Sequence, residues 1–194
     1  PFDYAVEPPI PPGLTQPKMQ LPLEKGVDWS FTGGPHGGWG SGSAWAAIDF
    51  APPGDALGCV PSDAWVVAVA DGLITRSKYG QVVQDLDGDG HDQTGWSVLY
   101  MHIDTNGRVP VGKMVKAGER IGHPSCEGGV STGTHVHLAR RYNGEWIAAD
   151  GSLPFNLDGW ISSGNGIEYD GWLSKDGQAI EAWNGRQAEN QIHR

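Results

Sequence analysis

Thr134-His135-Val136-His137-Leu138-Ala139-Arg140-Arg141 decides how the rest of this chain is read. From His135 to Arg141 the stretch reads as a β-strand. Strand side chains alternate between faces, so His135 and His137 look the same way. Two imidazoles aimed at one centre, joined by an upstream imidazole and a carboxylate, suit Zn²⁺, which takes nitrogen and oxygen ligands tetrahedrally. His36 and Asp49 are upstream residues of those types. Three protein ligands leave a fourth position for water, whose pKa falls to ~7 on zinc, and further imidazoles nearby can move protons. A His-X-His pair standing alone is more often a feature of a surface strand, so the distant partners carry the reading.

Working outward, Asn143-Gly144 is a two-residue turn signal through which Glu145-Trp146-Ile147 pairs back onto the strand. Upstream, Val82-Val83-Gln84 and Trp96-Ser97-Val98-Leu99-Tyr100-Met101-His102 flank a polar loop from Asp85 to Gly95. Trp65 to Ala70 ends at Asp71-Gly72, from which Leu73 to Ser77 returns, and Val111 to Gly122 reads as a turn-rich strand pair. Trp45 to Phe50 is a buried strand entered from the glycine-rich loop Gly33 to Ser43. That loop lacks the Lys-Ser/Thr ending and the following helix of a phosphate-binding loop. After Asp150, glycine-punctuated segments around Trp160, Trp172 and Trp183 form either a β-hairpin extension or covering loops. No helical period is found, and the expected class is all-β with one core.

The proline-rich segment Pro8 to Pro22 cannot be helix and is poor central strand. Residues 1–25 are therefore expected to be an extended arm over the body, or a linker remnant. Residues 26–194 are expected to be a single domain in which 150–194 is a C-terminal β extension. The 30 glycines and 14 prolines suit short strands and many turns. A formal charge of -10 argues against nucleic acid as a partner. No apolar run is long enough to cross a bilayer. Cys59 and Cys126 form one disulfide if the protein is exported, and are otherwise buried or free thiols. The chain starts at Pro1-Phe2-Asp3 and is read as a processed form, from which export is inferred.

The order of these motifs resembles a known family. Gly34-Pro35-His36, then Ile48-Asp49-Phe50, then Leu99-Tyr100-Met101-His102, then Ser131-Thr132-Gly133-Thr134-His135-Val136-His137-Leu138 is similar to the lysostaphin-type zinc endopeptidases. The Gly-Ser-Gly run before Asp49 most resembles the β-lytic endopeptidase and staphylolysin branch. The resemblance runs from His36 to Leu138. It implies a lysostaphin-like (duplicated hybrid motif) fold: a compact antiparallel β-sheet body with long loops forming a groove. It implies that His36, Asp49 and His137 hold zinc and that His102 and His135 are the catalytic imidazoles, with their division of labour open. It further implies cleavage of peptide bonds, often at glycine, in bacterial cell-wall bridges. Leu138-Ala139-Arg140-Arg141 departs from the bulky residues usual after the His-X-His pair.

Weaker candidates remain. Tyr100, placed by alternation on the face of His102, is either an aid to an oxyanion or an ordinary packed tyrosine. Asp85-Leu86-Asp87-Gly88-Asp89-Gly90 has the alternating carboxylates of a calcium loop without its closing Glu, and is otherwise a solvated hairpin loop. Trp39 and Trp45 flank the expected groove and are candidates for a substrate wall, whereas Trp65 and Trp96 read as core. His91 is expected to be exposed, His123 structural, and His193 disordered at the terminus.

The expectation is a secreted, monomeric zinc metalloendopeptidase acting on peptidoglycan peptides or Gly-rich polypeptides, with no nucleic-acid or membrane partner. The alternatives are a noncatalytic cell-wall-binding or regulatory module of the same fold, and a calcium-stabilised carbohydrate-binding β-domain.

Overall fold

The computed structural model describes residues 10–194, so residues 1–9, the start of the expected arm, lie outside the described residues. The strands are β1 (Trp29–His36), β2 (Ala47–Ala51), β3 (Val66–Val67), β4 (Gly72–Lys78) and β5 (Gln81–Asp85). They continue as β6 (Trp96–Met101), β7 (Met114–Val115), β8 (Arg120–Gly122), β9 (Val136–Tyr142) and β10 (Glu145–Trp146). The last five are β11 (Asn156–Leu157), β12 (Trp160–Ser163), β13 (Trp172–Lys175), β14 (Gln178–Glu181) and β15 (Gln191–Ile192). A single 3-10 turn, Ala188–Asn190, is the only helical element among the described residues. The all-β reading therefore holds, and no helix among the described residues is long and apolar enough to cross a membrane.

A nine-stranded antiparallel sheet in the order β15-β1-β2-β9-β6-β5-β4-β7 is the body, with β10 added along the end of β9. Tight turns with positive φ in both central residues set its hairpins: Tyr79-Gly80 between β4 and β5, and Asn143-Gly144 between β9 and β10. Their backbone twist matches that of the strands they join. Asp158-Gly159 and Asp176-Gly177 do the same in a second, four-stranded sheet, β11-β12-β13-β14. The expected C-terminal β extension is thus mostly this second sheet, while β15 returns to pair with β1.

Period-two alternation gives the main sheet two different faces. Phe31, Ile48, Phe50, Val82, Val98, Tyr100, Val136 and Leu138 point into the large core. Ala47, Val83, Leu99, Met101 and Ala139 form a small cluster on the opposite face, covered by Trp146. Residues before β1 close the core edge: Met19, Leu21 and Leu23 are buried in it, and Gln20 N–H donates to Val69 O at 2.8 Å.

Several strand expectations need correction. Trp65–Ala70 and Leu73–Ser77 do not form a hairpin, because β3 pairs with β8 while β4 pairs with β5 and β7. The expected pair within Val111–Gly122 is split the same way between two sheets. Trp65 is not core: it is half-buried, with its ring tilted against His123 at 3.8 Å and capped by Arg120. His123, whose Nδ1–H donates to Ala64 O, is structural, and His91 is exposed, as expected. His193 is not loose; it follows β15 with Nδ1 3.2 Å from Asp28.

Cys59 and Cys126 are disulfide-bonded, with Cα atoms 5.7 Å apart across 67 residues of chain. The bond ties the β2–β3 loop to the segment between β8 and β9. Closing so long a loop restricts the unfolded chain most, so a Cys59→Ser, Cys126→Ser double variant is expected to lose about 2–5 kcal/mol of stability. Chemical denaturation monitored by tryptophan fluorescence measures it, and an unchanged midpoint would contradict the assignment.

Candidate metal centre

Asp49 and His137 are direct partners across the β2–β9 ladder, and both occupy the face opposite the main core. His36 joins them by a less regular route. Two register shifts in β1, one before and one after Gly33, add residues on that strand so that Gly33 opposes Asp49 and His36 opposes Ala47. Bulges re-aim side chains in this manner. Contrary to the expected loop from Gly33, β1 runs to His36, and its glycines serve close approach. A Cβ on Gly33 would lie 2.8 Å from Asp49 Oδ2, and one on Gly34 would strike the Asp170 backbone.

The hydrogen bonds fix which nitrogen of each imidazole carries the proton. His36 Nδ1–H donates to Gly34 O at 2.8 Å, and His137 Nε2–H donates to Gly38 O at 3.2 Å. A carbonyl only accepts, so His36 Nε2 and His137 Nδ1 are left as lone pairs. They face one another at 3.0 Å, and each is 3.2 Å from Asp49 Oδ1. Three acceptor atoms converge with no proton to share among them. Asp49 Oδ1 is itself buried and without a hydrogen-bond donor. Such an arrangement is costly unless a cation sits between the three, and the two-nitrogen, one-oxygen donor set fits Zn²⁺. Burial opposes ionisation of Asp49, but His36 and His135 outweigh it and hold the carboxyl well below the usual range.

His102 reaches the same face by a backbone device. Alternation along β6 would send it into the core with Val98 and Tyr100, but its φ of +65 swings it out. Its Nδ1–H donates to Glu127 O at 3.0 Å, freeing Nε2. Burial, assisted by repulsion from His135, brings its pKa down to about 4, so it is neutral at pH 7. His135 Nδ1–H donates to Gly133 O at 2.7 Å, and its Nε2 lies 3.6 Å from Asp49 Oδ2. The His102 and His135 rings are 4.5 Å apart. All five residues expected from the sequence are therefore gathered at one place.

Tyr100 is not part of it. Its hydroxyl donates to Gln84 Oε1 at 2.6 Å and accepts from Val69 N–H, inside the core. Sequence reading missed Tyr169, whose ring stacks on His36 at 4.2 Å. The β12–β13 loop delivers it through two backbone hydrogen bonds, Gly34 N–H to Tyr169 O and Tyr169 N–H to Pro35 O. No local motif marks Tyr169, since its partner lies more than a hundred residues upstream. Trp39, half exposed, follows Gly38, whose carbonyl meets His137, and stays a candidate for the wall of the site, while Trp45 is half-buried. Of the departing residues, Arg140 is in the core and Arg141 stacks on Trp146, so neither replaces a groove residue.

A model of peptidase family M23 matches residues 47–149, which include Asp49, His102, His135 and His137. The chain is 29% identical over 175 residues to the beta-lytic metalloendopeptidase of Achromobacter lyticus, covering 82% of this chain and 43% of that protein. It is 30% identical over 141 residues to protease LasA of Pseudomonas aeruginosa, covering 69% of this chain and 31% of that protein. The chain thus spans less than half the length of these relatives. Among solved structures, the M23 metalloprotease pseudoalterin from the deep sea matches with a TM-score of 0.71 at 26% identity, over 94% of this chain and 99% of that one.

The Gly33–Asp49 contact yields a test. Gly33→Ala is expected to fold and to displace the carboxylate, weakening metal retention by about 10–100-fold, as changes beside metal ligands commonly do. Competition with a chromogenic chelator measures this, and wild-type retention would show that Gly33 is not needed for room.

Proposed function

The chain belongs to peptidase family M23, and from that premise we propose a secreted zinc endopeptidase that cleaves peptide bonds at glycine in peptidoglycan cross-links or Gly-rich polypeptides. The observation that carries the reading is the set of three converging acceptor atoms on His36, Asp49 and His137, with two further imidazoles whose free nitrogens adjoin it. A binding module has no use for this second pair.

Zinc, when held by His36, Asp49 and His137, supplies Lewis acidity that activates water near neutral pH and polarises a carbonyl. His102, neutral and with Nε2 unengaged, takes the proton of the attacking water and passes it to the leaving amine as the C–N bond breaks. His135 has Nε2 3.6 Å from Asp49 Oδ2, and when protonated it donates from that nitrogen to the carbonyl oxygen as that becomes anionic. Both imidazoles are held by backbone carbonyls, so neither must reorient during the reaction.

The preference for glycine has a steric basis. His36, Asp49, His102 and His137 are only 2–8% exposed and form a recessed floor. Loops carrying Trp39 and Tyr169 stand beside that floor. A scissile bond reaches it most readily when the flanking residue has no side chain. Export is supported by the Cys59–Cys126 disulfide, since such bonds persist in oxidising compartments. The net charge of -10 favours an uncharged peptide over the anionic parts of a wall.

His102→Ala and His135→Ala are each expected to lower kcat on pentaglycine by roughly 10²–10⁴-fold while zinc content stays at one per chain. A peptide with alanine at the cleaved position is expected to react far more slowly. Hydrolysis that persists after zinc is stripped by chelation would refute the proposal, as would equal rates on bulky-residue peptides for its glycine preference.

A further inference from the structure

The loop between β5 and β6 opens with Asp85-Leu86-Asp87-Gly88-Asp89-Gly90 and lies apart from the centre described above. One carboxylate oxygen from each of Asp85, Asp87 and Asp89 lies within 4.8 Å of the other two. Acidic residues often crowd exposed loops without consequence, but Asp85 is not exposed. It ends β5 at 0% exposure, and its Oδ1 is buried with no hydrogen-bond donor. Its other oxygen accepts from Gly90 N–H at 2.9 Å, so the loop engages Oδ2 and leaves Oδ1 unpartnered. A buried carboxylate oxygen without a donor costs free energy comparable to that of a lost hydrogen bond or more.

Among the described residues no Lys or Arg pairs with any of the three, and Arg76, on the neighbouring β4, pairs at 3.9 Å with Asp92 instead. Hydrogen bonds within the loop hold the two outer, exposed carboxylates. Asp87 Oδ1 accepts from Asp89 N–H, while Asp89 accepts from His91 N–H at 2.7 Å and Thr94 Oγ1–H at 2.9 Å. A Cβ on Gly95 would lie 2.3 Å from Asp87 Oδ2, so Asp87 lies close against that glycine. Burial, with Asp87 as neighbour, pushes the Asp85 carboxyl up, as expected of an acidic group lacking a cation.

We propose that Asp85, Asp87 and Asp89 form a Ca²⁺ site that clamps the loop end of the β5–β6 hairpin. An all-oxygen donor set selects a hard cation over zinc, and Ca²⁺ accepts six to eight oxygens in adaptable geometry. Carboxylates at alternate positions followed by Gly90 match the first half of an EF-hand loop. The closing Glu is missing, so loop carbonyls and water complete the shell. Fewer charged ligands imply the weak range of extracellular modules, about 10⁻⁴–10⁻³ M. The clamp has a mechanical consequence: β5 and β6 are paired from Asp85–Ser97 to Gln81–Met101, and His102 follows directly.

The zinc-loaded chain is titrated with Tb³⁺ while tryptophan is excited. Trp96 is well placed as the donor, because its carbonyl accepts from Leu86 N–H within the loop. Saturable emission displaced by Ca²⁺ is expected, weakened roughly tenfold or more in Asp87→Asn and in Asp89→Asn, since ligand charge sets affinity. Both residues are exposed, so neither change should prevent folding. Asp63→Asn, which alters net charge equally at another exposed site, should behave as wild type. In parallel, millimolar CaCl₂ should raise the melting temperature of wild type and not of Asp87→Asn. Absent emission, emission that persists in both loop variants, or a melting temperature indifferent to Ca²⁺ would each overturn the site. Neither readout involves hydrolysis, so they stand or fall separately from the peptidase reading.

Discussion

Asp49 and His137 face each other across the β2–β9 ladder, and a slip of one residue there would send both into the apolar core. The ladder resists that slip because alternate positions are committed to burial. Ile48 opposes Leu138 and Phe50 opposes Val136 on the core side, so the pairing that fills the core also aligns the two ligands. β9 is paired on both edges, to β2 and β6, and its register is fixed twice. The metal centre inherits its geometry from hydrophobic packing on the other side of the same sheet. The bulges of β1 are the one local irregularity it requires, and they bring His36 to the face that Asp49 and His137 already share.

His102 is positioned at greater cost. A non-glycine residue at φ +65 is uncommon and carries strain of about 1–3 kcal/mol unless its surroundings hold it there. His102 is held by three bonds: its carbonyl accepts from both the N–H and the hydroxyl of Ser125, and its ring donates to Glu127 O. Glu127 is anchored in turn, with its carboxylate accepting from Thr105 N–H at 2.8 Å and from the Thr105 hydroxyl. The disulfide at Cys126 sits between these two anchors. Strands β1, β2 and β9 carry the three converging acceptors, and a braced loop holds His102.

That division explains what could be read from the sequence. His135 and His137 were legible because alternation is local and leaves a two-residue signature, and the order of His36, Asp49 and His102 added a family resemblance. Most strands were legible from apolar runs, and the β9–β10 hairpin from Asn143-Gly144, residues that tolerate positive φ. Alternation misled where the backbone breaks it: placing Tyr100 with His102 assumed a regular strand, whereas φ at His102 reverses the last residue. Tyr169 was invisible because its contact with His36 depends on the β12–β13 loop folding over β1, a tertiary event with no local pattern. The partners of β3, β7 and β8 were misassigned for the same reason, since short strands close to a turn pair with whatever the core brings near.

Arg140 shows how the two faces of β9 are kept distinct. It lies three residues beyond His137 on the opposite face, fully buried, without a carboxylate partner. Its guanidinium donates to Ala148 O at 3.1 Å, to Leu153 O and to Gln16 Oε1, and packs over Phe155 at 4.6 Å. Burial brings its pKa down to about 9, so it stays charged at neutral pH. A buried cation is rarely a net source of stability, and a well-packed apolar residue would serve the core at least as well. What the charge adds is direction: a planar fork of donors has few orientations in which all its partners are met. Segments from before β1 and from after β10 converge on it. Their carbonyl and amide oxygens meet the guanidinium only when β9 presents its even-numbered residues inward, and that same orientation turns His137 out toward Asp49.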